Sequence, residues 1–304
     1  MLKLSVYEVH FKADAPLKLP NPPGLMWHSL FGKALHDISC THPTSNCEDC
    51  FRLHDCDYPV LFKPGLPPGS VIMKKYTQIP APHVFQISTV DDISAPVKEF
   101  SVRFSLIGNA NDRLPAVLLA MQKLGTNGLG IDRVPAALTA VSRHRQNGVI
   151  EKLQHSSVDF DKPESIDVPE APKSYSLQFI SPYLPTGSRS ARPQDFDLSA
   201  FLMAVVRRVD LLGYFYNGIK LEGDFKGLKR QSLIDTGCSA TLDNSECKHY
   251  SHKNREGYLS KGLTGILKME DQTAATFWPF LYAGQFLNAG KKASYGMGQF
   301  RCVS

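Results

Sequence analysis

No apolar run in the 304 residues approaches the 18 or more needed for a membrane span; the nearest, Ala200 to Val206, is stopped by Arg207 and Arg208. A G-x-x-x-x-G-K-[ST] loop is missing, and the last glycine-rich turn leads toward a strand instead of a helix, which argues against nucleotide hydrolysis. Low-complexity tracts are also missing, and an apolar fraction of 42% is ordinary for a globular protein. The start, MLKLSVYEVHFKAD, carries charges where a signal peptide needs an apolar core, so a cytoplasmic protein with no membrane partner is expected. In that compartment the seven cysteines are expected as thiols or metal ligands, not disulfides. Tryptophan is scarce, and both residues, Trp27 and Trp278, sit on apolar helix faces that read as core. The net charge of +5 is too small to name a partner. From Lys220 onward, however, 12 Lys/Arg face 8 Asp/Glu, a net +4 that suits either a polyanion or a solvated basic surface.

What is present divides in two. The length suits two domains, placed at 1–150 and 174–304, with the acidic, proline-bearing stretch 151–173 as linker. In the first half, strand patterns at Leu2–Lys12, Tyr58–Phe62, Val84–Ile87, Glu99–Ile107 and Ala137–Arg143 surround helices at Gly24–Ile38 and Leu114–Leu124. In the second, strands are expected at Tyr175–Ile180, Leu221–Leu228 and Leu263–Lys268, with helices at Phe196–Tyr216 and Thr276–Ala289. Each half ends in an apolar helix, a glycine-rich turn and a short strand, and the turns share one pattern. Gly128-Leu-Gly-Ile-Asp-Arg133 and Gly296-Met-Gly-Gln-Phe-Arg301 both read G-φ-G-x-x-R, where φ is apolar. Such an internal repeat predicts two copies of one unit, and the β-α-β-β-α-β ferredoxin-like order fits both.

The helix at Gly24–Ile38 is where chemistry is expected. Met26, Trp27, Leu30, Phe31, Ala34, Leu35 and Ile38 form an apolar arc; His28, Ser29, Gly32, Lys33, His36 and Asp37 form the polar one. Glycine costs a helix interior about 1 kcal/mol against alanine, so Gly32 asks for a reason, and close approach of a ligand backbone is one. An ordinary amphipathic helix with two surface histidines is the plainer account.

Cys40, Cys47, Cys50 and Cys56 follow within seventeen residues and include a C-x-x-C, a reasonable tetrahedral metal set. The spacing lacks the symmetry of a zinc ribbon, and His42 and His54 are alternative ligands. Structural zinc, unbound thiols, and an iron–sulfur or redox role all remain open.

Four stretches, in this order along the chain, resemble the CRISPR repeat-RNA processing endoribonucleases of the repeat-associated mysterious protein (RAMP) superfamily. They are GLMWHSLFGKALHDISC with the cysteine loop closing on Cys56-Asp-Tyr-Pro-Val-Leu-Phe62, the LGTNGLGIDR turn, His249-Tyr-Ser-His-Lys-Asn254 upstream of Gly262-Leu-Thr-Gly265, and AGQFLNAGKKASYGMGQFRC. The resemblance implies an α+β protein of two tandem ferredoxin-like (RRM-like) domains, with the cysteine-rich loop inserted after the first helix. It also implies binding of CRISPR repeat RNA and metal-independent cutting at one phosphodiester, with no cofactor for catalysis. In that reaction a 2′-hydroxyl attacks its own phosphate, leaving a 2′,3′-cyclic phosphate and a 5′-hydroxyl. Carried onto this chain, His36 is the expected acid/base, His28 its partner or substitute, and Lys33 the electrostatic stabiliser. His252 is an alternative. Lys291, Lys292 and Ser294 in the glycine turn, with Arg189, Arg192, Arg207, Arg208, His252 and Lys253, are the expected RNA contacts. Tyr295 is expected either to stack on a base or to lie buried under the turn. A non-catalytic RNA-binding subunit of the same superfamily, held among other CRISPR effector subunits, is the alternative reading.

Overall fold

The computed structural model describes residues 2–42, 46–86, 95–153, 162–187, 191–220, 223–234, 238–251 and 256–303. The first unit runs β1 (Lys3–Leu17), α1 (Gly24–Ser39), α2 (Asp57–Phe62), β2 (His83–Gln86), β3 (Val97–Ile107), α3 (Leu114–Thr126) and β4 (Ala136–His144). Its sheet is antiparallel in the order β2-β3-β1-β4, extended by β5 (Ile150–Leu153) on β4 and by β6 (Glu164–Ser165) on β1. The second unit runs β7 (Ser174–Tyr183), α4 (Leu198–Asn217), α5 (Phe225–Gln231), β8 (Ser239–Ser251), β9 (Glu256–Glu270), α6 (Asp271–Gly284) and β10 (Phe300–Val303), with sheet order β10-β7-β9-β8. Numbered within each unit, both sheets read 4-1-3-2 with a helix after the first and third strands. The fold is α+β, two ferredoxin-like units in tandem. The stretch 151–173 is not bare connector, since it supplies β6 and most of β5.

Strand alternation explains how the layers stack. Tyr7, Val9 and Phe11 of β1 join Phe100, Val102 and Phe104 of β3 in a core under α1 and α3. Phe11 stacks on Trp27 at 6.2 Å and on Phe100 at 5.5 Å. From the opposite face of the same sheet, Leu4, Val6, Val84 and Ile107 meet Leu212 and Tyr216 of α4, Ala283 of α6 and Leu287 just beyond it. This part of the first sheet is therefore covered on both faces, the second time by the other unit's helices. Polar contacts register the two units: Tyr216 Oη donates to the Pro80 carbonyl at 2.7 Å, and Lys3 N–H to Asn217 Oδ1 at 2.9 Å.

Three elements differ from the sequence pattern. Tyr58–Phe62 is helical, as part of α2, and not a strand; Pro59 lies in the helix's first turn, where its missing N–H costs nothing. Leu221–Leu228 is not a strand either: residues 221 and 222 lie outside the described residues, and Phe225 onward is α5, capped by Asp224 accepting from Gly227 N–H at 2.8 Å. β8, which has no apolar run to announce it, pairs with β9 continuously from Ser239↔Lys268 to Ser251↔Glu256.

Candidate functional site

α1 starts directly after Pro22-Pro23, and its first turn is seated on the other unit. A Cβ at Gly24 would stand 2.2 Å from the Tyr295 carbonyl oxygen, so only glycine permits this approach. One turn on, the His28 ring stacks on Tyr295 at 3.5 Å and 20°. Phe62 of α2 covers its other side at 4.3 Å, and His83 of β2 lies at 5.5 Å. His28 is 6% exposed, which corrects the expected polar arc at that position. Burial, aided by the neighbouring His83 and Lys63, pushes its pKa down to about 2, so the ring is neutral. His83 is also buried and pushed down to about 4; its Nδ1–H donates to the Leu61 carbonyl at 2.8 Å, and among the described residues Nε2 has no partner.

Gly32 has a different use from the one expected. An added Cβ would lie 2.2 Å from Cζ of Phe62, so the glycine makes room for that ring and not for a ligand backbone. Arg113, at the start of α3, holds α2 in place by donating to Asp57 Oδ1 at 2.7 Å.

Ser29, Lys33, His36 and Asp37 keep the expected outward face of α1, with His36 half-buried and the others exposed. Lys33 precedes His36 by three residues, so the two are surface neighbours. His36 Nδ1 is 3.9 Å from Asp37 Oδ1, and its ring meets Tyr58 edge-on at 4.9 Å. Eight residues separate His28 from His36, about 12 Å along a helix axis, so the two histidines do not share one reacting centre. A ring contact path nevertheless joins them: His36, Tyr58, Phe62 (5.5 Å from Tyr58), His28, Tyr295. Burial pushes the Tyr58 hydroxyl up to about 12.

The glycine turns bear out the repeat. Gly128 and Gly130, like Gly296 and Gly298, take positive φ (90°, 71°, 87° and 64°). The apolar residue between each pair, Leu129 or Met297, is fully buried, while Arg133 and Arg301 point outward. In the second turn the Gly296 and Gly298 N–H groups are bonded to Ala293 and Pro182 carbonyls, so neither is free to meet a phosphate. Asn288, at φ 58°, donates from Nδ2 to the Phe85 carbonyl at 3.2 Å and to Ala293 at 3.1 Å, fastening the turn to β2. Sequence reasoning missed Asn288, Tyr58 and His83; an asparagine before Ala-Gly, tolerant of positive φ, was the only available signal.

The remaining expected contacts separate by exposure. Arg207 is exposed, but Arg208 turns inward: Nε donates to the Leu287 carbonyl at 2.6 Å, Nη2 is covered without a partner among the described residues, and burial lowers its pKa to about 10. That placement corrects Arg208 as an RNA contact. Lys291 is exposed and donates to the Gly187 carbonyl at 2.6 Å; Lys292 is half-buried, reaching Ser260 Oγ at 3.1 Å, with its pKa lowered by burial. Ser294 and Tyr295 are half-buried, and Arg192 pairs with Asp195 at 2.6 Å. Arg189, His252 and Lys253 lie outside the described residues.

Cys40, Cys47, Cys50 and Cys56 line one small cavity with His36, His42 and Tyr58. The Cys47 thiol is pushed up by burial and then by Cys40, Cys50 and Cys56. Among the described residues no three of His, Cys, Asp and Glu are close enough together to hold a metal ion. No helix among them is long and apolar enough to cross a membrane.

Comparison with known proteins agrees with this architecture. Residues 2–162 match a family model described as an N-terminal domain, AF_1859_N, and residues 177–300 match that of the CRISPR-associated endoribonuclease Cas6. No curated protein matches. Among solved structures, a Cas6 product complex aligns over 99% of both chains at TM-score 0.54 and 15% identity. Thermus thermophilus Cas6 aligns over 100% of this chain and 99% of its own at 0.53 and 14%. A further Cas6 product complex aligns over 100% of both at 0.51 and 16%. At such identities these structures speak for the fold; residues 2–162, more than half of the chain, belong to the AF_1859_N domain family, and the Cas6 model over residues 177–300 supports a place among the CRISPR repeat-RNA processing endoribonucleases.

Proposed function

We propose that the protein binds CRISPR repeat RNA and cuts it without a metal ion, by attack of a ribose 2′-oxygen on the adjacent phosphorus. The 5′-oxygen leaves with a proton, giving a 2′,3′-cyclic phosphate and a 5′-hydroxyl. The observation that carries this reading is the seating of α1 on the second unit's glycine turn, Gly24 against Tyr295 and His28 on its ring. It joins the helix that carries Lys33 and His36 to the turn that carries Lys291, which supports a single RNA strand meeting both elements.

In this proposal His36 moves the proton and Lys33 offsets the charge that builds on phosphorus. His28, neutral and covered, holds Tyr295 and the turn in position in place of exchanging protons. Lys291, Lys292, Ser294, Arg192 and Arg207 contact the RNA backbone; Arg189, His252 and Lys253 complete that set.

Incubation with repeat RNA in EDTA tests the reading. Product ending in a cyclic phosphate is expected, and 2′-deoxy substitution at the cut nucleotide should abolish it. His36→Ala should slow cutting roughly 100-fold or more while leaving affinity within a few-fold. An unchanged rate in that variant would overturn the assignment of His36. Tight binding with no cut by the wild type would instead favour a passive RNA-holding subunit.

A further inference from the structure

The loop between α1 and α2 has a concentration of thiols that the proposed reaction does not use. Cys40 caps α1, its N–H bonded to the His36 carbonyl at 2.9 Å. Cys47–Asp49 forms a 3-10 turn that ends at Cys50. Residues three apart in such a turn eclipse, so the Cys47 and Cys50 side chains leave the same side. Cys56 is buried at the start of α2, with its thiol 3.6 Å from the Ser39 carbonyl. All four are free thiols.

The cavity they line holds about 20 Å³, close to the minimum for a single water and far too small for a nucleotide. As they stand no three of these side chains share one ion, but a cavity that small with four sulfurs on its wall suits a single ion and not an organic ligand. Arg52 stands on the same wall, a cation beside what would become a cluster of thiolates. Thiolate sets of this kind select soft divalent metals, and zinc fits a tetrahedral arrangement with bonds of about 2.3 Å. We propose that Cys40, Cys47, Cys50 and Cys56 bind one zinc ion that locks the connection between α1 and α2. The thiols close in on the metal as it binds. Four protons leave, Cys56 gives up its contact with Ser39, and the carbonyl end of α1 is tied to the start of α2. The site is structural, because four protein sulfurs leave no open position for a substrate.

The test uses the full chain purified under reducing conditions from zinc-supplemented cultures. Elemental analysis should find about one equivalent of zinc. Replacement by cobalt should give the absorption of a tetrahedral thiolate complex. The Cys47→Ser/Cys50→Ser double variant should lose the metal, whereas Cys238→Ser, away from the loop, should keep it. Should the double variant fail to fold, wild-type protein stripped of metal and titrated with zinc still decides: its melting temperature should rise and level off at one equivalent. Wild type that purifies without metal and whose melting temperature zinc does not raise would overturn the proposal. So would a mass two hydrogens lighter per cysteine pair under the same reducing conditions, the mark of disulfides. These readouts are metal content, spectrum and melting, so the outcome is independent of whether the protein cuts RNA.

Discussion

Gly32→Ala separates the role found for this glycine from that of an ordinary helix glycine. In an open helix the change gains about 1 kcal/mol of stability. Here the new methyl would meet the Phe62 ring at 2.2, 2.5 and 2.7 Å from Cζ, Cε2 and Cε1. Contact distances near 3.5 Å require the ring to retreat by more than about 1 Å. It has little room, with His28 at 4.3 Å, Tyr58 at 5.5 Å and His83 at 6.0 Å from its centre. Overpacking of this kind costs about 1–3 kcal/mol, so the single variant should be neutral to destabilised by about 2 kcal/mol. In a Phe62→Leu background the clashing atoms are gone, and the same Gly32→Ala change should then stabilise by up to about 1 kcal/mol. Urea unfolding of all four members of the cycle measures the coupling, expected at about 1–3 kcal/mol. Equal stabilisation by Gly32→Ala in both backgrounds would refute the reasoning.

Acid should weaken the fold through the buried histidines. His28 and His83 resist protonation down to about 2 and about 4, while in the unfolded chain both take up protons below about 6.5. Their stabilising contribution is therefore complete above pH about 6.5 and is lost as pH falls toward those folded values, by about 2 kcal/mol for each at pH 5. His28→Phe should lose about 2 kcal/mol less than wild type between pH 7 and 5 in denaturant titrations; an identical pH slope would contradict a neutral His28. For the adjacent arginines, Arg207→Ala should weaken RNA binding and lower its salt slope by about 1, while Arg208→Met should leave both within error. Equal loss of affinity in the two variants would show that Arg208 turns outward when RNA binds.

The two-unit plan was legible because each half ends in an apolar helix and a short strand, and because the paired G-φ-G-x-x-R turns marked the repeat. Local pattern misleads at single positions where cover comes from far along the chain. A helical projection counts His28 as polar, and nothing near it shows that Phe62 and Tyr295 will close over it. Arg208 looks like its neighbour Arg207 until α4 packs against the chain following α6. Tyr58–Phe62 is a short apolar run that reads as a strand, and only Pro59 so close to Asp57 hints at a helix start. β8 has few apolar residues, Leu242 and Cys247 among them, and is held extended by its ladder with β9, which no local pattern reports.

The stack of His28 on Tyr295 joins residues 267 positions apart, 295 less 28. At a synthesis rate of roughly 5–20 residues per second, the histidine helix leaves the ribosome roughly 13–50 s before the turn that receives it. During that interval the first unit can pair its strands and bury its own core, yet Gly24 and one side of His28 remain without cover. The newborn chain thus completes this surface last, and a product truncated before Gly290 would carry His36 on a helix with nothing to seat its first turn.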